Sequence, residues 1–443
     1  MDLPKKSRYV VIGAGIHGLS TAWHLAMELK ARGRGSGEDI IIIDKTGIAA
    51  GASGIACGVV RNFYYQPAMG EVMRVSVDVW ESDPETFAYS DVGYLGVVAD
   101  VQVGDVEAMY ERQLASGYRS SLIRGEVATE RYMKSLFPDW KAKGLAAVIH
   151  EHQGGFAFNK DAMYGLASKA QAEGVRIYEG VEVTGFTTSN GTGSEVTAVE
   201  TNQGTIETDE VVVAVGPWIK SIWTMLGLPN QIDVKDNDGN VHKDLDMWTY
   251  WRLQEGEIDV DPKMFVDADG NTPSVVHVDS TQPLISDSTG EVITQDQWGI
   301  YFKQDKHGVQ GGAVPDDMGN DAQVDPYGTA SPYYVVDENF IDYWTSGLAH
   351  CMGRFEGAHL HYKNIPSGGI GAFTADNFPV FDRMLPNVYV IADSNHGFKM
   401  IGVGKEVASS LMGEHSSVLH PFRYSRYAEG DLHPMSNSPF PWS

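Results

Sequence analysis

Three glycines and one acid carry the clearest chemical signal in this chain. In Gly13-Ala14-Gly15-Ile16-His17-Gly18, the first glycine permits a tight turn and the second lets a pyrophosphate approach the backbone. Gly18 lets the following helix sit close on a sheet. A diphosphate would lie against the N–H groups that open this helix, at Ile16 and His17, where the dipole favours negative charge. His17 would act there through its backbone. Asp44 would accept hydrogen bonds from an adenosine ribose, which argues against a 2′-phosphate at that spot. Residues 46–62 are rich in Gly, Ala and Ser, so a loop there can pass close to a cofactor, with Ser53 bonding a phosphate. Together these residues predict a dinucleotide site.

The elements that position them are legible as a buried strand at 9–12, a helix, and a second buried strand at 40–44. The interval between glycines and acid is longer than usual, and Gly33-Arg34-Gly35-Ser36-Gly37 accounts for it as an extended loop. Further along, the pattern predicts helices at 71–81, 105–116 and 160–173, the last stopping at Gly174, and a strand at 94–98. Strands follow at 175–178 and 182–184, then a meander at 195–201 and 205–208. The apolar strand 211–215 ends in Gly216-Pro217-Trp218, a second visit to the nucleotide with Gly216 and Trp218 beside it. Residues 230–350 are acidic, loop-rich and strand-prone, with candidate strands at 247–253, 274–278 and 299–302. A Gly-rich run at 367–371, a strand at 388–392 and a helix at 403–412 close the regular structure. The remaining tail, rich in Pro and Ser, reads as extended and draped over the surface.

The 443 residues suffice for two domains. A formal net charge of −26 would repel nucleic acid and anionic membrane over most of the surface, so neither is an expected partner. An anionic substrate would need a local cationic site. Cys57 and Cys351 form no disulfide framework and no metal-ligand pattern, so no metal is expected. Asp236-Asn237-Asp238-Gly239-Asn240 and Asp267-Ala268-Asp269-Gly270-Asn271 resemble pieces of a calcium loop, but neither has the closing Glu, so both read as acidic turns. No run is long enough for a membrane span and no secretory segment precedes the first strand, which predicts a cytoplasmic protein.

The Gly13–Ala22 run, the strand ending at Asp44, the Gly216-Pro217-Trp218 strand end and the late Ser394-Asn395-His396-Gly397-Phe398-Lys399 resemble the FAD-dependent amine oxidoreductases of the D-amino acid oxidase superfamily. The sequence is most similar to the sarcosine oxidase/dehydrogenase and glycine oxidase branch. The resemblance covers residues 8–80, 150–225 and 360–415 and is poor in the acidic region between. It implies an α/β fold with a Rossmann-like FAD-binding domain of the glutathione-reductase type and a second domain of mixed antiparallel β-sheet. The FAD-binding domain would be discontinuous, at 1–85, 150–228 and 355–443. Residues 86–149 and 229–354 would form the substrate domain with its acidic insertions.

The same resemblance implies non-covalent FAD, because Gly371-Ala372-Phe373-Thr374 stands where the monomeric sarcosine oxidases attach flavin through a cysteine. Cys57, in the cofactor loop, reads as a buried small residue. Val183 matches the backbone position that holds adenine, Ser53 a pyrophosphate-binding residue, and Lys45 sits near the nucleotide. Gly369, Gly371 and the N–H groups of Gly397, Phe398 and Lys399 match positions close to the flavin. Arg61 and Lys399 match a pair that grips the substrate carboxylate and would be the catalytic cations. Tyr64, Tyr65 and Tyr301 would wall the pocket, while His396 precedes the flavin-contacting backbone and is not read as a catalytic residue.

The oxygen-activating lysine of the oxidases aligns with Gln310 and their active-site histidine with Val314, with Lys303 or Lys306 as substitutes. The expected reaction is oxidation of a secondary or tertiary amine, such as an N-methyl amino acid, by hydride transfer to FAD N5 and hydrolysis of the iminium. Oxygen or an electron-acceptor protein would take the electrons. The alternatives are a glycine or D-amino acid oxidase or dehydrogenase, or a flavoprotein electron-relay subunit of a larger dehydrogenase.

Overall fold

Four consecutive isoleucines open the strand Ile40–Asp44, and all four are buried, because this strand lies inside a parallel sheet covered on both faces. The computed structural model describes residues 2–190, 194–363, 368–393 and 396–440. In the parallel part of the sheet the order is Val388–Ala392, Gly204–Val213, Lys6–Ile12, Ile40–Asp44 and Arg176–Glu179. Alternate side chains serve opposite cores. Val11, Ile40 and Ile42 pack with Leu19 and Leu25 of helix Ile16–Ala31, Leu166 of helix Asn159–Ala172 and Val407 of helix Gly402–Leu411. Val10, Ile41 and Ile43 pack on the other face with Trp223 and Trp248.

The expected meander strand at 205–208 and the apolar strand at 211–215 are one strand, Gly204–Val213. Its outer half pairs antiparallel with Val196–Thr201 and alternates between exposed and buried, whereas its inner half pairs parallel with Lys6–Ile12 and ends in the buried run Val211-Val212-Val213. The change of pattern in mid-strand imitates two elements. Gly216–Trp218 forms a 3-10 turn that leads into the short helix Ile219–Met225.

A second sheet has seven strands in the order Glu255–Asp259, Gly308–Ala313, Trp298–Asp305, Val275–Ser280, Tyr94–Val98, Ala147–Glu151 and Ser120–Arg124. Tyr94–Val98 and Val275–Ser280 run parallel and the other pairs antiparallel. Helix Glu338–Cys351, absent from the sequence reading, buries Trp344 and Leu348 against this sheet. Its start is fixed by the Asp337 carboxylate, which accepts a hydrogen bond from Phe340 N at 2.8 Å. Helix Glu126–Leu136 was likewise not foreseen; only Thr129 and Met133 are buried on it, so its apolar stripe is narrow. The molecule is thus an α/β protein with a nucleotide-type parallel sheet and several mixed sheets.

The segment after residue 430 departs from the expected surface drape. Phe440 is 4% exposed and packs with Phe373. The expectations at Ser367, Ser394, Asn395 and Pro441-Trp442-Ser443 lie outside the described residues. Among the described residues no helix is long and apolar enough to cross a membrane.

Candidate active site

The glycine turn is built by close backbone contact. Gly13 has φ +108°, and a Cβ there would lie 2.2 Å from the Ala214 carbonyl oxygen. A Cβ on Gly18 would lie 1.9 Å from the Gly13 oxygen, so this glycine serves packing rather than a ligand. Gly15 differs: its backbone is ordinary at φ −86°, and its Cβ would meet only Ser53 Oγ, at 3.2 Å. The first turn of helix Ile16–Ala31 has no acidic residue, and Gly15 gives it no side-chain cap. Ile16 N donates to Ser53 Oγ at 3.2 Å, so Ser53 stands at the positive helix end. Asp44 ties the turn to the following loop, accepting hydrogen bonds from Ala14 N at 2.9 Å and from Thr46 N and Gly47 N at 2.8 Å.

Beyond Asp44, the acidic region at 230–345 proves to have two tasks. It supplies four of the seven strands of the second sheet, and its residues Gln323, Val324, Asp325 and Tyr327 line the same cavity as Asp44 and Lys45. Lys45 Nζ lies 4.3 Å from the Trp218 ring centroid and 2.7 Å from Asp325 Oδ1, which also accepts from Trp218 Nε1 at 2.9 Å.

One cavity of about 530 Å³ runs from Gly13, Gly15, Asp44 and Val183 to Arg61, Tyr301 and Lys399. Arg61 is buried, with Nη1 donating to Phe63 O and the guanidinium 4.4 Å from the Tyr64 ring centroid. Lys399 comes from the 3-10 turn Gly397–Lys399, whose last carbonyl accepts from Trp80 Nε1 at 3.0 Å. Neither cation has an ion-pair partner among the described residues. Burial, and then the Arg61 charge, push the Lys399 amine down to about 7. The cavity also holds an acid: Glu255 Oε1 accepts from Cys57 N at 3.0 Å and from Tyr301 Oη at 3.2 Å. Burial pushes its carboxyl up to about 7.

The structure brings most of the sequence-predicted residues together. Gly13, Gly15, Ile16, His17, Asp44, Lys45, Ser53, Arg61, Val183, Gly216, Trp218, Tyr301, Gly369, Gly397, Phe398 and Lys399 all line this cavity. Gly18, Gly371 and Tyr64 are not among the described lining residues. Tyr64 lies beneath Arg61 as its ring partner, and Tyr65 receives a hydrogen bond from Gln102 Nε2 at 3.1 Å instead of walling the pocket. Cys57 is buried, as read from sequence, and burial pushes its thiol well up.

Gln310 sits in the sheet opposite Lys303 and Glu257, away from the lining. Lys303 is paired with Asp305 at 2.6 Å and Lys306 with Asp161, so neither lysine reaches the cavity. Val314 packs with Phe373 and Phe440. His396 supports the turn before Lys399: its backbone N donates to Asp393 Oδ1 at 3.0 Å, and His17 Nε2 lies 3.1 Å from Asp393 Oδ2. Burial would raise the Asp393 carboxyl, but its bonds to His17 and His396 outweigh this and hold it low.

Sequence reading missed Glu255, His277, Tyr94 and Phe440, all of which line the same cavity as Arg61 and Lys399. Strand alternation flanks three of them, yet nothing local marks which face meets a cofactor.

The chain belongs to the DAO family of FAD dependent oxidoreductases, whose profile matches residues 8–237. It is similar to the sarcosine oxidase beta subunit of Arthrobacter sp, 29% identical over 221 residues that cover 48% of this chain and 51% of that one. It is also similar to the mitochondrial dimethylglycine dehydrogenase of Homo sapiens, 24% identical over 235 residues that cover 51% of this chain and 25% of that one. The chain thus spans about half the length of that subunit and about a quarter of that dehydrogenase. In fold it is like L-proline dehydrogenase from P. horikoshii, with TM-score 0.72 and 23% identity over 97% of this chain and 100% of that one. It is also like glycine oxidase from Bacillus cereus ATCC 14579, with TM-score 0.64 and 15% identity over 94% of this chain and 98% of that one.

The enzyme is therefore an FAD-dependent oxidoreductase, and its residues fit that cofactor. Gly15 leaves the approach to the turn open and gives the helix end no side-chain cap, and His17 Nδ1 is buried without a partner among the described residues. A direct check is Gly15→Val. The backbone tolerates a side chain there, so the variant should stay folded by circular dichroism yet purify colourless and fail to take up added FAD. Retained yellow colour would remove Gly15 from the cofactor site.

Proposed function

We propose that this enzyme oxidises a secondary or tertiary amine that carries a carboxylate, such as an N-methyl amino acid. The observation that carries the reading is the unpaired state of Arg61, which is buried, and Lys399, which is partly buried: both line one cavity, with no acid in ion-pair reach among the described residues. Buried charges in proteins are paired, so the missing partner is an anion brought by the ligand. A planar guanidinium beside an ammonium suits a carboxylate.

In this reading the two ends of the substrate meet different groups. Arg61 and Lys399 hold the carboxylate and set the distance of the reacting carbon. Glu255 faces the amine. An amine gives up hydride only as the neutral base, and Glu255, ionised above about pH 7, takes the ammonium proton onto its carboxylate while Tyr301 holds Oε1. Bound FAD supplies the two-electron acceptor for the hydride. Water then adds to the iminium carbon and releases an aldehyde and the dealkylated amine, and the electrons leave to oxygen or an acceptor protein. FAD would be held without a covalent bond, since Phe373-Thr374 offers no thiol. The parts at 1–85, 150–228 and 355–443 would carry the cofactor, and those at 86–149 and 229–354 the roof of the substrate site.

The reading is tested by anaerobic mixing of the holoenzyme with sarcosine, dimethylglycine, proline, glycine and D-alanine. Bleaching by the secondary and tertiary amines is expected; bleaching by none of the five would end the proposal. For Glu255, the variant Glu255→Gln keeps the oxygen that Cys57 and Tyr301 bond but cannot take a proton. Its reduction rate near neutral pH should fall about 100-fold, with carboxylate binding preserved. An unchanged rate would take Glu255 out of the proton path.

A further inference from the structure

We propose that residues 434–440 are part of the substrate site and that the Phe440 ring sets the size of the amine substituent admitted, an inference that rests on the amine-oxidising reading above. Phe440 lines the same cavity as Arg61 and Lys399. Its ring centroid lies 5.3 Å from that of His277 and 6.4 Å from that of Tyr301. The ring therefore forms one wall with the tyrosine that holds Glu255.

The segment is fixed in place rather than laid on the surface. Ser438 Oγ donates to Asp279 Oδ2 at 3.0 Å, and this fully buried carboxylate also takes Gln102 Nε2 at 2.7 Å and lies 2.7 Å from His277 Nε2. Asn437 O accepts from Gln297 Nε2 at 2.9 Å, and Pro434 O from Gln66 Nε2 at 3.3 Å. Room for the ring is made by Gly299, where a Cβ would lie 2.6 Å from Phe440 Cε2. Strand Trp298–Asp305 thus gives up a side chain at the position the ring covers. A rigid aromatic wall rejects added methylenes on the substrate, each worth about 10- to 200-fold in a close-fitting apolar pocket.

The test times anaerobic reduction of the holoenzyme by sarcosine, N-ethylglycine, N-propylglycine and N-benzylglycine in wild type, Phe440→Ala, Phe440→Leu and Phe440→Trp. The alanine variant should raise the N-benzylglycine to sarcosine ratio of kcat/KM by at least about tenfold, leucine less, and tryptophan should lower it. Should alanine fail to fold, leucine and tryptophan still move the ratio in opposite directions. Ratios that stay together across all variants overturn the proposal.

A readout without turnover runs beside it: titration of acetate, benzoate and 2-naphthoate by the change in flavin absorbance. A wall at Phe440 predicts tighter naphthoate relative to acetate in alanine and weaker in tryptophan; equal selectivity in all variants overturns it. Wild type reduced by none of the amines sinks the amine-oxidising reading instead, and the carboxylate series then still decides for or against the wall.

Discussion

Arg61→Ala is expected to raise the KM for a carboxylate-bearing amine by about 30- to 1,000-fold, the equivalent of about 2–4 kcal/mol for a buried charged contact. The methyl ester of the same amine should change by less than about threefold, because it has no anion to lose. The asymmetry follows from where the guanidinium sits. It is stacked over Tyr64, bonded through Nη1 to Phe63 O and without an ion pair among the described residues, so alanine there removes positive charge without breaking an ion pair. Glu151, a buried acid that feels the Arg61 charge, is held by Asn62 N at 2.8 Å and Gln113 Nε2 at 2.7 Å, and burial already pushes its carboxyl up to about 7. Stability should therefore fall less than binding. Steady-state kinetics on the acid and its ester make the measurement; equal effects on both would remove Arg61 from the substrate site.

Arg61 was legible in the sequence, and Glu255 was not, for a physical reason. The nucleotide end is built within one stretch of chain: turn, helix, strand and acid follow each other, so Gly13, Gly15, Ser53 and Asp44 announce themselves by spacing. The substrate end is built by pairing distant strands. Tyr94–Val98 meets Val275–Ser280 in parallel, and Glu255 reaches the cavity only because Glu255–Asp259 pairs with Gly308–Ala313. Parallel and edge pairings of this kind leave no local mark. Tyr64 shows the converse: its type was right for a pocket, but one residue of alternation decides between lining the cavity and lying behind Arg61. The segment at 431–440 misled through composition, since Pro and Ser promise a loop but do not say that a buried carboxylate, Asp279, awaits Ser438.

Lys399 gives the second large effect, and its signature is pH. Burial and the Arg61 charge depress this amine to about 7, so it is an ammonium below that pH and neutral above it. A carboxylate ligand without an amine, such as acetate, should bind tightly at low pH. Its Kd should rise about tenfold for each pH unit above 7, because binding must then bring a proton to Lys399. Glu255 reinforces the trend, since it turns anionic as pH rises through about 7. Lys399→Met removes the titrating cation: affinity at pH 6 should drop by about 10- to 100-fold, and the slope above pH 7 should flatten to what Glu255 and Glu151 impose. Combining Lys399→Met with Glu255→Gln should leave only the shallow pH dependence that Glu151 imposes through Arg61 as it turns anionic near 7, with Arg61, charged throughout, holding the remaining affinity. Titrations by flavin absorbance across that range decide it. A wild-type Kd that stays constant through pH 7 would mean that the ammonium is not a partner of the carboxylate, and Arg61 would then hold it alone.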